Sequence, residues 1–149
     1  MIEAFFCLAT TLYFEARGEE PEAMAAVGHV IMNRVYSDMF PDTVCDVVRQ
    51  GGEKKYQCQF TWYCDGLSDN PKNNEGWSKA LSVAATLYAY PDQTDGALWY
   101  HAEYVQPEWA GPIYYQIGTH KFYNAIYDPR NYGLRKEKQE VSEKGKSKN

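Results

Sequence analysis

The sequence contains no long hydrophobic run, no excess of basic charge and no internal repeat. No stretch of about 18 apolar residues occurs, so we expect no stable insertion into a membrane. The formal net charge of −5 argues against a general nucleic-acid binder, whose surface would be basic. The N-terminus also lacks the basic segment that begins a secretory signal. These absences predict synthesis in the cytoplasm without a signal peptide, and neither nucleic acid nor membrane as a stable partner.

Patterns for metal-dependent or nucleophile-dependent catalysis are missing as well. No Ser or Cys lies in a recognisable nucleophile elbow, and the chain has only 3 histidines. The spacing between Cys58 and Cys64 fits no common zinc site. We therefore predict neither a metal nor a cofactor.

The four cysteines divide into a cluster and a single residue. Cys45, Cys58 and Cys64 are clustered, and we expect a disulfide among them, although their spacing leaves the pair open. Cys7 stands alone in the first predicted helix and is interpreted as a buried small hydrophobe. Because the cytoplasm is reducing, any disulfide would form only after the chain reaches an oxidising compartment.

Length and composition predict one folded domain followed by a charged tail. A chain of 149 residues with 44% hydrophobic content can bury a sizeable core without needing disulfides. Residues 134–149 hold six basic and three acidic residues but no aromatic residue, which is typical of a disordered terminus. We therefore place the folded domain at 1–133 and a disordered charged tail at 134–149.

Two helices with a corner between them are predicted at the N-terminus. Apolar residues recur at three- and four-residue intervals over 2–13 and again over 23–31. Gly18 suits the end of the first helix, and Pro21 suits the first turn of the second. Glu15 falls on the border of the first apolar stripe, at this corner. A carboxyl group crowded by apolar side chains has a raised pKa and can donate a proton near neutral pH.

The remainder of the domain predicts a further helix and a small sheet. Helical spacing runs over 77–88, with Asn73 or Asn74 as the cap. Segments 97–101 and 119–123 are short, aromatic and bounded by Gly and Pro, so we predict two strands paired with each other. The fold class is therefore α+β, mainly helical with a small antiparallel β element.

Aromatic residues are abundant, with 13 Tyr, 6 Phe and 4 Trp. Sugar rings stack their C–H faces on aromatic planes, whereas their hydroxyl groups need polar partners at the edges. Segment 59–65 mixes both kinds of side chain, and its alternation predicts a short strand. We expect Phe60 to pack in the core, and Gln59 and Trp62 to lie near a cleft.

Several motifs occur in a fixed order along the chain. They are EARGE at 15–19, GHVIMNRV at 28–35, FPDTVCDVV at 40–48, CQFTWYCDG at 58–66, GALWYH at 96–101, PEW at 107–109 and IGTHKFY at 117–123. Over residues 4–124 the chain resembles the SleB-type cell wall hydrolases, the spore-cortex-lytic family. This resemblance implies a lysozyme-like catalytic domain, here 1–133, that cleaves the glycan strands of peptidoglycan.

The resemblance also implies a mechanism. The first glutamate of EARGE, here Glu15, would be the catalytic acid that cleaves between N-acetylmuramic acid and N-acetylglucosamine. Such enzymes usually act as lytic transglycosylases, in which the same carboxyl group then accepts a proton as the anhydro-muramic ring closes. The alternative is a hydrolytic muramidase, which would need a second carboxylate such as Asp65, Glu103 or Glu19.

Two other classes of function remain open at this point. A non-catalytic glycan-binding or virion structural protein would keep the groove without the reaction. A wall amidase or peptidase ranks last, because the residues supply neither a metal site nor a nucleophile.

Seven further side chains are predicted to bind the substrate. They are Glu19, Gln59, Trp62, Asp65, Tyr100, His101 and His120. The two histidines are expected to support the cleft by hydrogen bonding rather than to act as a general base. Arg17 either caps the first helix or binds a substrate carboxylate, and Asn33 and Arg34 are expected to organise the corner.

The expected partner is the glycan strand of peptidoglycan, and the chain is expected to be a monomer. It would act on the bacterial cell wall after release from the cytoplasm. A phage endolysin would suit this compact form, and a shortened spore-cortex enzyme would look the same.

Overall fold

The computed structural model describes residues 2–55 and 57–124, which form four α-helices and a three-stranded sheet. The elements are α1 (Ile2–Ala16), α2 (Pro21–Val35), α3 (Val44–Val48), α4 (Asn74–Ala85), β1 (Trp99–Ala102), β2 (Tyr115–Ile117) and β3 (His120–Tyr123). The predicted α+β class, mainly helical with a small antiparallel β element, is confirmed. The predicted tail at 134–149 and its boundary near residue 133 lie outside the described residues.

Helices α1 and α2 meet at the predicted corner. The Ala16 carbonyl accepts a hydrogen bond of 2.9 Å from the backbone N–H of Glu19, which closes the end of α1. Pro21 begins α2, where its fixed φ is suitable and its missing N–H is not needed. The two helices bury their apolar faces in one core, with Leu8, Leu12, Tyr13, Met24, Val27, Val30 and Ile31 among its members. Glu15 therefore emerges beside the core, one residue before α1 ends.

Helix α4 begins at the predicted cap. The Asn73 side chain accepts a hydrogen bond of 2.8 Å from the backbone N–H of Gly76. The Tyr13 hydroxyl accepts hydrogen bonds from the backbone N–H groups of Lys72, at 3.1 Å, and Asn73, at 2.9 Å. These bonds fix the start of α4 against α1. The α-helix ends at Ala85, short of the predicted end, and a 3-10 turn follows it.

The predicted pairing of the two late strands is confirmed. β1 pairs antiparallel with β3, and Tyr100 lies opposite Phe122. β3 also pairs with β2, so the strand order is β1-β3-β2. Strand β2 was not predicted from the sequence, because its residues are mostly exposed and do not alternate between buried and exposed. Gly118 and Thr119 form the tight turn that joins β2 to β3.

The prediction of a strand at 59–65 is wrong. Thr61–Tyr63 form a 3-10 helix, and Cys58 is joined to Cys64 by a disulfide with a Cα–Cα distance of 6.0 Å. A bridge between residues so close in sequence curls the backbone between them, so the segment cannot extend. The expected disulfide within the cysteine cluster is thus found in this pair, and Phe60 is buried as expected.

Interpreting Cys7 as an isolated hydrophobe is also wrong. Cys7 is buried, but it forms a disulfide with Cys45 at a Cα–Cα distance of 5.4 Å. The packing of α3 against α1 brings the two cysteines together across 38 positions of sequence, a proximity that spacing alone does not reveal. Glu3 lies beside both sulfur atoms, but because the sulfurs are bonded to each other they are not available as thiolate metal ligands.

The helices share the main core, and a second cluster supports the sheet. The second cluster joins the start of β1 to the end of β3 and includes Leu98, Trp99, Ala110 and Tyr123. Across residues 2–55 and 57–124, none of the helices combines the length and apolar character needed to traverse a bilayer.

We predict that Gly118→Ala destabilises the fold more than its matched control, Gly96→Ala. Both glycines have positive φ, +56° and +74°, where an alanine costs roughly 1–2 kcal/mol. A Cβ at Gly96 would meet nothing within 4 Å, whereas one at Gly118 would lie 2.6 Å from Glu19 Oε2. We expect urea denaturation to show a further loss of about 1–3 kcal/mol for Gly118→Ala. Equal losses in the two variants would show that the hairpin moves away from Glu19 without cost.

Candidate active site

Glu15 lies between two adjoining cavities that together form an open cleft. The central cavity has a volume of about 500 Å³ and is bounded by the end of α1, the segment 59–65 and the strands β1 and β3. The side cavity, of about 360 Å³, is bounded by the corner between α1 and α2 and by the turn at Thr119. The residues that line both are Phe14, Glu15, Ala102, Tyr104 and His120.

The cleft brings together all eight residues predicted for the site. Those that line the central cavity are Glu15, Gln59, Trp62, Asp65, Tyr100, His101 and His120. Glu19 lines the side cavity, where Glu15 is its neighbour. Glu103 lines neither cavity, and its carboxylate accepts a hydrogen bond of 3.0 Å from the Gln116 side chain.

The Glu15 carboxyl group lies in a desolvated position with two polar neighbours. Its side chain is half-buried, and burial of the carboxyl end raises its pKa above the ordinary 4.5. The Tyr100 hydroxyl donates a hydrogen bond to the carboxyl group, and the nearby Arg34 cation favours its ionised form, so both limit the rise in pKa. The carboxyl group therefore keeps its proton to a higher pH than an exposed glutamate and still has partners that stabilise its anion.

Arg34 is a buried cation in the wall of the central cavity. The residue is only 2% exposed, and its Nε donates a hydrogen bond of 2.7 Å to the Leu98 carbonyl. Its guanidinium lies 4.6 Å from the ring centroid of Phe40 and 5.5 Å from that of Phe60. Burial lowers the pKa of Arg34 to about 10, with Tyr100 and Glu15 opposing the shift, so the group stays charged at neutral pH.

The expectation that Asn33 and Arg34 organise the corner missed the second role of the arginine. Asn33 donates hydrogen bonds of 3.0 Å to the Ala97 carbonyl and to Asp92, so both residues tie α2 to the segment before β1. Arg34 also faces the cleft, and its Nη1 atom has no hydrogen-bond partner among the residues that the structure describes. The sequence does contain a signal for this role, because Arg34 is a charged residue within the apolar run of α2.

Glu19 is held by the turn between β2 and β3. Its Oε1 accepts hydrogen bonds from both the backbone N–H, at 2.9 Å, and the hydroxyl of Thr119. Nδ1 of His120 lies 3.2 Å from the same oxygen, at an angle too poor for a hydrogen bond. Burial acts to raise the pKa of Glu19, but the Thr119 donors and His120 outweigh it and the pKa is lowered. Burial lowers the pKa of His120, against the pull of Glu19.

Glu15 and Glu19 thus have opposite electrostatic environments although they are four positions apart. The pKa of Glu15 is raised by burial, and that of Glu19 is lowered by its donors. Two carboxyl groups with pKa values displaced in opposite directions are typical of a site that separates a proton donor from a permanent anion. Of the two glutamates, Glu15 lines both cavities and Glu19 lines only the side cavity.

His101 has both ring nitrogens engaged. Nδ1 donates to the Ala102 carbonyl at 2.8 Å, which leaves Nε2 of the neutral ring to accept a hydrogen bond of 2.8 Å from the Tyr123 hydroxyl. The ring also stacks on that of Tyr123, with centroids 5.5 Å apart. This geometry suits the supporting role expected for His101, because no nitrogen is left for proton transfer.

Three apolar or aromatic residues of the cleft were not predicted from the sequence. Phe14 stacks on Trp62 with ring centroids 5.5 Å apart and an interplanar angle of 14°. Tyr104 is 86% exposed and lines both cavities, and Val105 lies beside it in the central cavity. An exposed tyrosine ring at the rim is a suitable platform for a sugar ring. Because Tyr104 lies in a loop after β1, no periodic pattern marks it.

These features together define a class of site. A desolvated carboxylic acid lies at the meeting point of two cavities, beside a buried cation and an aromatic rim, and this is the arrangement of a general-acid cleft for an extended polymer.

The chain matches the family model for Cell Wall Hydrolase over residues 18–123. It belongs to the cell wall hydrolase family, which confirms the resemblance found in the sequence. Glu15 lies just before the matched range.

Two curated relatives are described as spore cortex-lytic enzymes. The enzyme of Oceanobacillus iheyensis is 34% identical over 125 residues, which cover 77% of this chain and 39% of the relative. That of Bacillus subtilis is 32% identical over 125 residues, which cover 77% of this chain and 35% of the relative. The chain thus spans less than half the length of the curated relatives it matches.

Two solved structures share the fold. The catalytic domain of the germination-specific lytic transglycosylase SleB from Bacillus anthracis aligns with a TM-score of 0.59 at 30% identity, covering 80% of this chain and 92% of that domain. The catalytic domain of the Bacillus cereus SleB protein aligns with a TM-score of 0.58 at 29% identity, covering 82% of this chain and 90% of that domain. The expected lysozyme-like fold class is confirmed by these matches.

We predict that Glu15→Gln stabilises the protein in neutral solution. Because the folded-state pKa of Glu15 is above its ordinary 4.5, folding favours the protonated form. The wild-type protein therefore keeps this contribution below the unfolded pKa and loses it as the pH rises through the folded pKa. The substituted glutamine has no proton to lose, so the Tm difference between variant and wild type should grow from about pH 4 to about pH 8. A difference that does not change with pH would contradict the desolvated position of Glu15.

Proposed function

We propose that this chain cleaves peptidoglycan glycan strands between N-acetylmuramic acid and N-acetylglucosamine as a lytic transglycosylase. The observation that carries the proposal is the raised pKa of Glu15 at the junction of the two cavities. The described SleB catalytic domain at 30% identity supports the same reaction type. The substrate is expected to lie along the cleft, with the scissile bond at Glu15.

The reaction needs one carboxyl group in two successive states. Glu15 first donates its proton to the glycosidic oxygen as the bond from that oxygen to C1 of the muramic acid breaks. The resulting carboxylate then accepts the proton of the 6-hydroxyl group of the same sugar while O6 bonds to C1. The products are an anhydro-muramic end and a free 4-hydroxyl group, and Glu15 is protonated again.

The neighbours of Glu15 suit both states. Burial raises the pKa of Glu15 and so favours the protonated acid before the first step. Between the steps the Tyr100 hydroxyl and the Arg34 cation stabilise the carboxylate. A general acid and base is most effective when its pKa lies near the working pH, and these opposed influences on Glu15 act in that direction.

The positions of the other carboxylates favour one catalytic group over two. Glu103 lies outside the lining of the cleft, and the Glu19 carboxylate is occupied by Thr119 and His120. Asp65 does line the central cavity, although its Oδ1 already accepts a hydrogen bond of 2.9 Å from the Leu67 N–H. Asp65 is therefore the one candidate here for a hydrolytic second carboxylate.

The disulfides support action outside a reducing compartment. Cys58–Cys64 closes the cavity wall that holds Gln59 and Trp62, and Cys7–Cys45 fastens α1, which carries Glu15. Such bridges persist in oxidising surroundings.

We propose that the chain works on the bacterial cell wall once it has left the cytoplasm, as a catalytic domain at 1–133 followed by the charged tail. Monomeric behaviour and the absence of nucleic-acid binding stay predictions.

The first test of this proposal is Glu15→Gln assayed on purified peptidoglycan. We expect turnover to fall by roughly 10²- to 10⁴-fold, because general acid catalysis contributes about that much. Glu103→Gln is the matched control and should keep activity, since its carboxylate lies outside the cleft.

Mass spectrometry of wild-type digests should show anhydro-muramic ends. If the digests show reducing muramic ends and the Asp65→Asn variant is inactive, the protein is a hydrolase. If the wild-type protein binds cell walls without clearing them, it is a non-catalytic glycan-binding protein.

A second test addresses the role of Tyr100. Its hydroxyl lowers the pKa of Glu15 by favouring the carboxylate, so Tyr100→Phe should raise that pKa. Because the acid must begin protonated, the alkaline limb of the kcat/KM profile should move to higher pH. Tyr63→Phe removes a hydroxyl from a residue outside the lining of the cleft and should leave the limb in place. A fall in activity without movement of the limb would assign Tyr100 a packing role only.

A further inference from the structure

A third cavity lies beside the cleft and plays no part in the reaction described above. It has a volume of about 630 Å³ and is lined by Tyr13, Phe14, Arg17, Asp65, Leu67, Ser68, Asn70, Lys72 and Asn73. It shares Phe14 and Asp65 with the central cavity, and Phe14 and Arg17 with the side cavity. We call it the branch cavity, because it shares lining residues with both cavities of the cleft.

Two cations without carboxylate partners line the branch cavity. Among the described residues, Arg17 and Lys72 form no ion pair, whereas Arg49 lies 3.3 Å from Glu3. Lys79, near the same corner, donates its hydrogen bond to the Glu19 carbonyl at 2.7 Å. The branch cavity is thus a place where positive charge is left available for a ligand.

Tyr13 contacts the Arg17 side chain and the backbone of Lys72. The Arg17 guanidinium lies 4.8 Å from the centroid of the Tyr13 ring. The hydroxyl of the same tyrosine accepts the backbone N–H of Lys72 at 3.1 Å and that of Asn73 at 2.9 Å. Because Tyr13 is buried, the side of the cavity that carries both cations is anchored to the core. A preorganised site loses less conformational entropy when it binds a ligand.

The remaining lining residues offer amide, hydroxyl and apolar contacts. Asn70, Asn73 and Ser68 supply polar groups, and Leu67 is 74% exposed. Asp65 is the only carboxylate among the lining residues, and it stands at the border with the central cavity. Positive charge, amides and a small apolar surface together match a short peptide that ends in carboxylates.

We propose that the branch cavity binds the anionic peptide substituent of a muramic acid while the sugars lie in the cleft. This inference rests on the proposed function, since it assumes a peptidoglycan strand at Glu15. The peptide projects sideways from the glycan, so its pocket must leave the cleft at one point, as the branch cavity does. Arg17 and Lys72 bind the carboxylates, and the chain would therefore prefer peptide-bearing strands to bare ones.

The test compares wild type with an Arg17→Gln/Lys72→Gln double variant on two substrates. One is intact peptidoglycan, and the other is the same glycan after an amidase has removed its peptides. We expect the KM for intact strands to rise about threefold to tenfold more than the KM for stripped strands in the double variant, since Arg17 also lines the side cavity of the cleft. Lys54→Gln removes one charge from an exposed residue that lines none of these cavities, and it controls for general attraction to an anionic wall.

A binding measurement separates this proposal from the proposed reaction. Calorimetry with a muramyl disaccharide, carrying or lacking a tripeptide, requires no turnover. The loss of affinity in the double variant should be about threefold to tenfold larger for the peptide-bearing form than for the bare disaccharide. Equal affinity of both proteins for the peptide-bearing form, or an equal loss for both ligands, would overturn the branch-cavity proposal. If wild type shows the peptide preference but cleaves neither substrate, the reaction fails and the peptide site stands.

Discussion

The cleft depends on the balance between the desolvation of Glu15 and the partners of its anion. Desolvation alone would produce an acid that holds its proton too tightly to act again as a base. The Arg34 cation and the Tyr100 hydroxyl counter it, and both are fixed from outside α1. Arg34 itself tolerates burial because Nε is hydrogen-bonded to Leu98 and its guanidinium lies over the rings of Phe40 and Phe60. The proposed catalytic acid Glu15 and the buried cation Arg34 are therefore electrostatically coupled.

A continuous series of contacts connects the corner after α1, the sheet and Glu15. Glu19, at the corner after α1, is bonded to Thr119 in the turn that begins β3. β3 pairs with β1, where Tyr100 lies opposite Phe122, and the Tyr100 hydroxyl returns to Glu15 at the end of α1. Both glutamates of the EARGE motif thus have distinct tasks. We propose that Glu15 carries the proton, and Glu19 joins the corner after α1 to the turn before β3.

The sequence was sufficient for features that depend on local periodicity and insufficient for those that depend on distant packing. The corner at Gly18, a cap at Asn73 or Asn74 and the border position of Glu15 follow from spacing along single helices. The structure has the corner and the border position, and it identifies Asn73 as the cap. The Cys7–Cys45 bridge depends on how α3 packs on α1, which no spacing encodes. Arg34 was placed at the corner but not in the cleft, since its contact with the site crosses from α2 to β1 and α1.

The choice between ring closure and hydrolysis depends on which hydroxyl group reaches C1 after the glycosidic bond breaks. A water molecule must be recruited and oriented, whereas the 6-hydroxyl is already part of the sugar and loses little entropy when it attacks. Asp65, in the wall of the same cavity, accepts the Leu67 N–H through Oδ1 and is the carboxylate that would have to orient this water in the hydrolytic alternative. Under the proposed function, the tethered 6-hydroxyl group therefore favours the anhydro product.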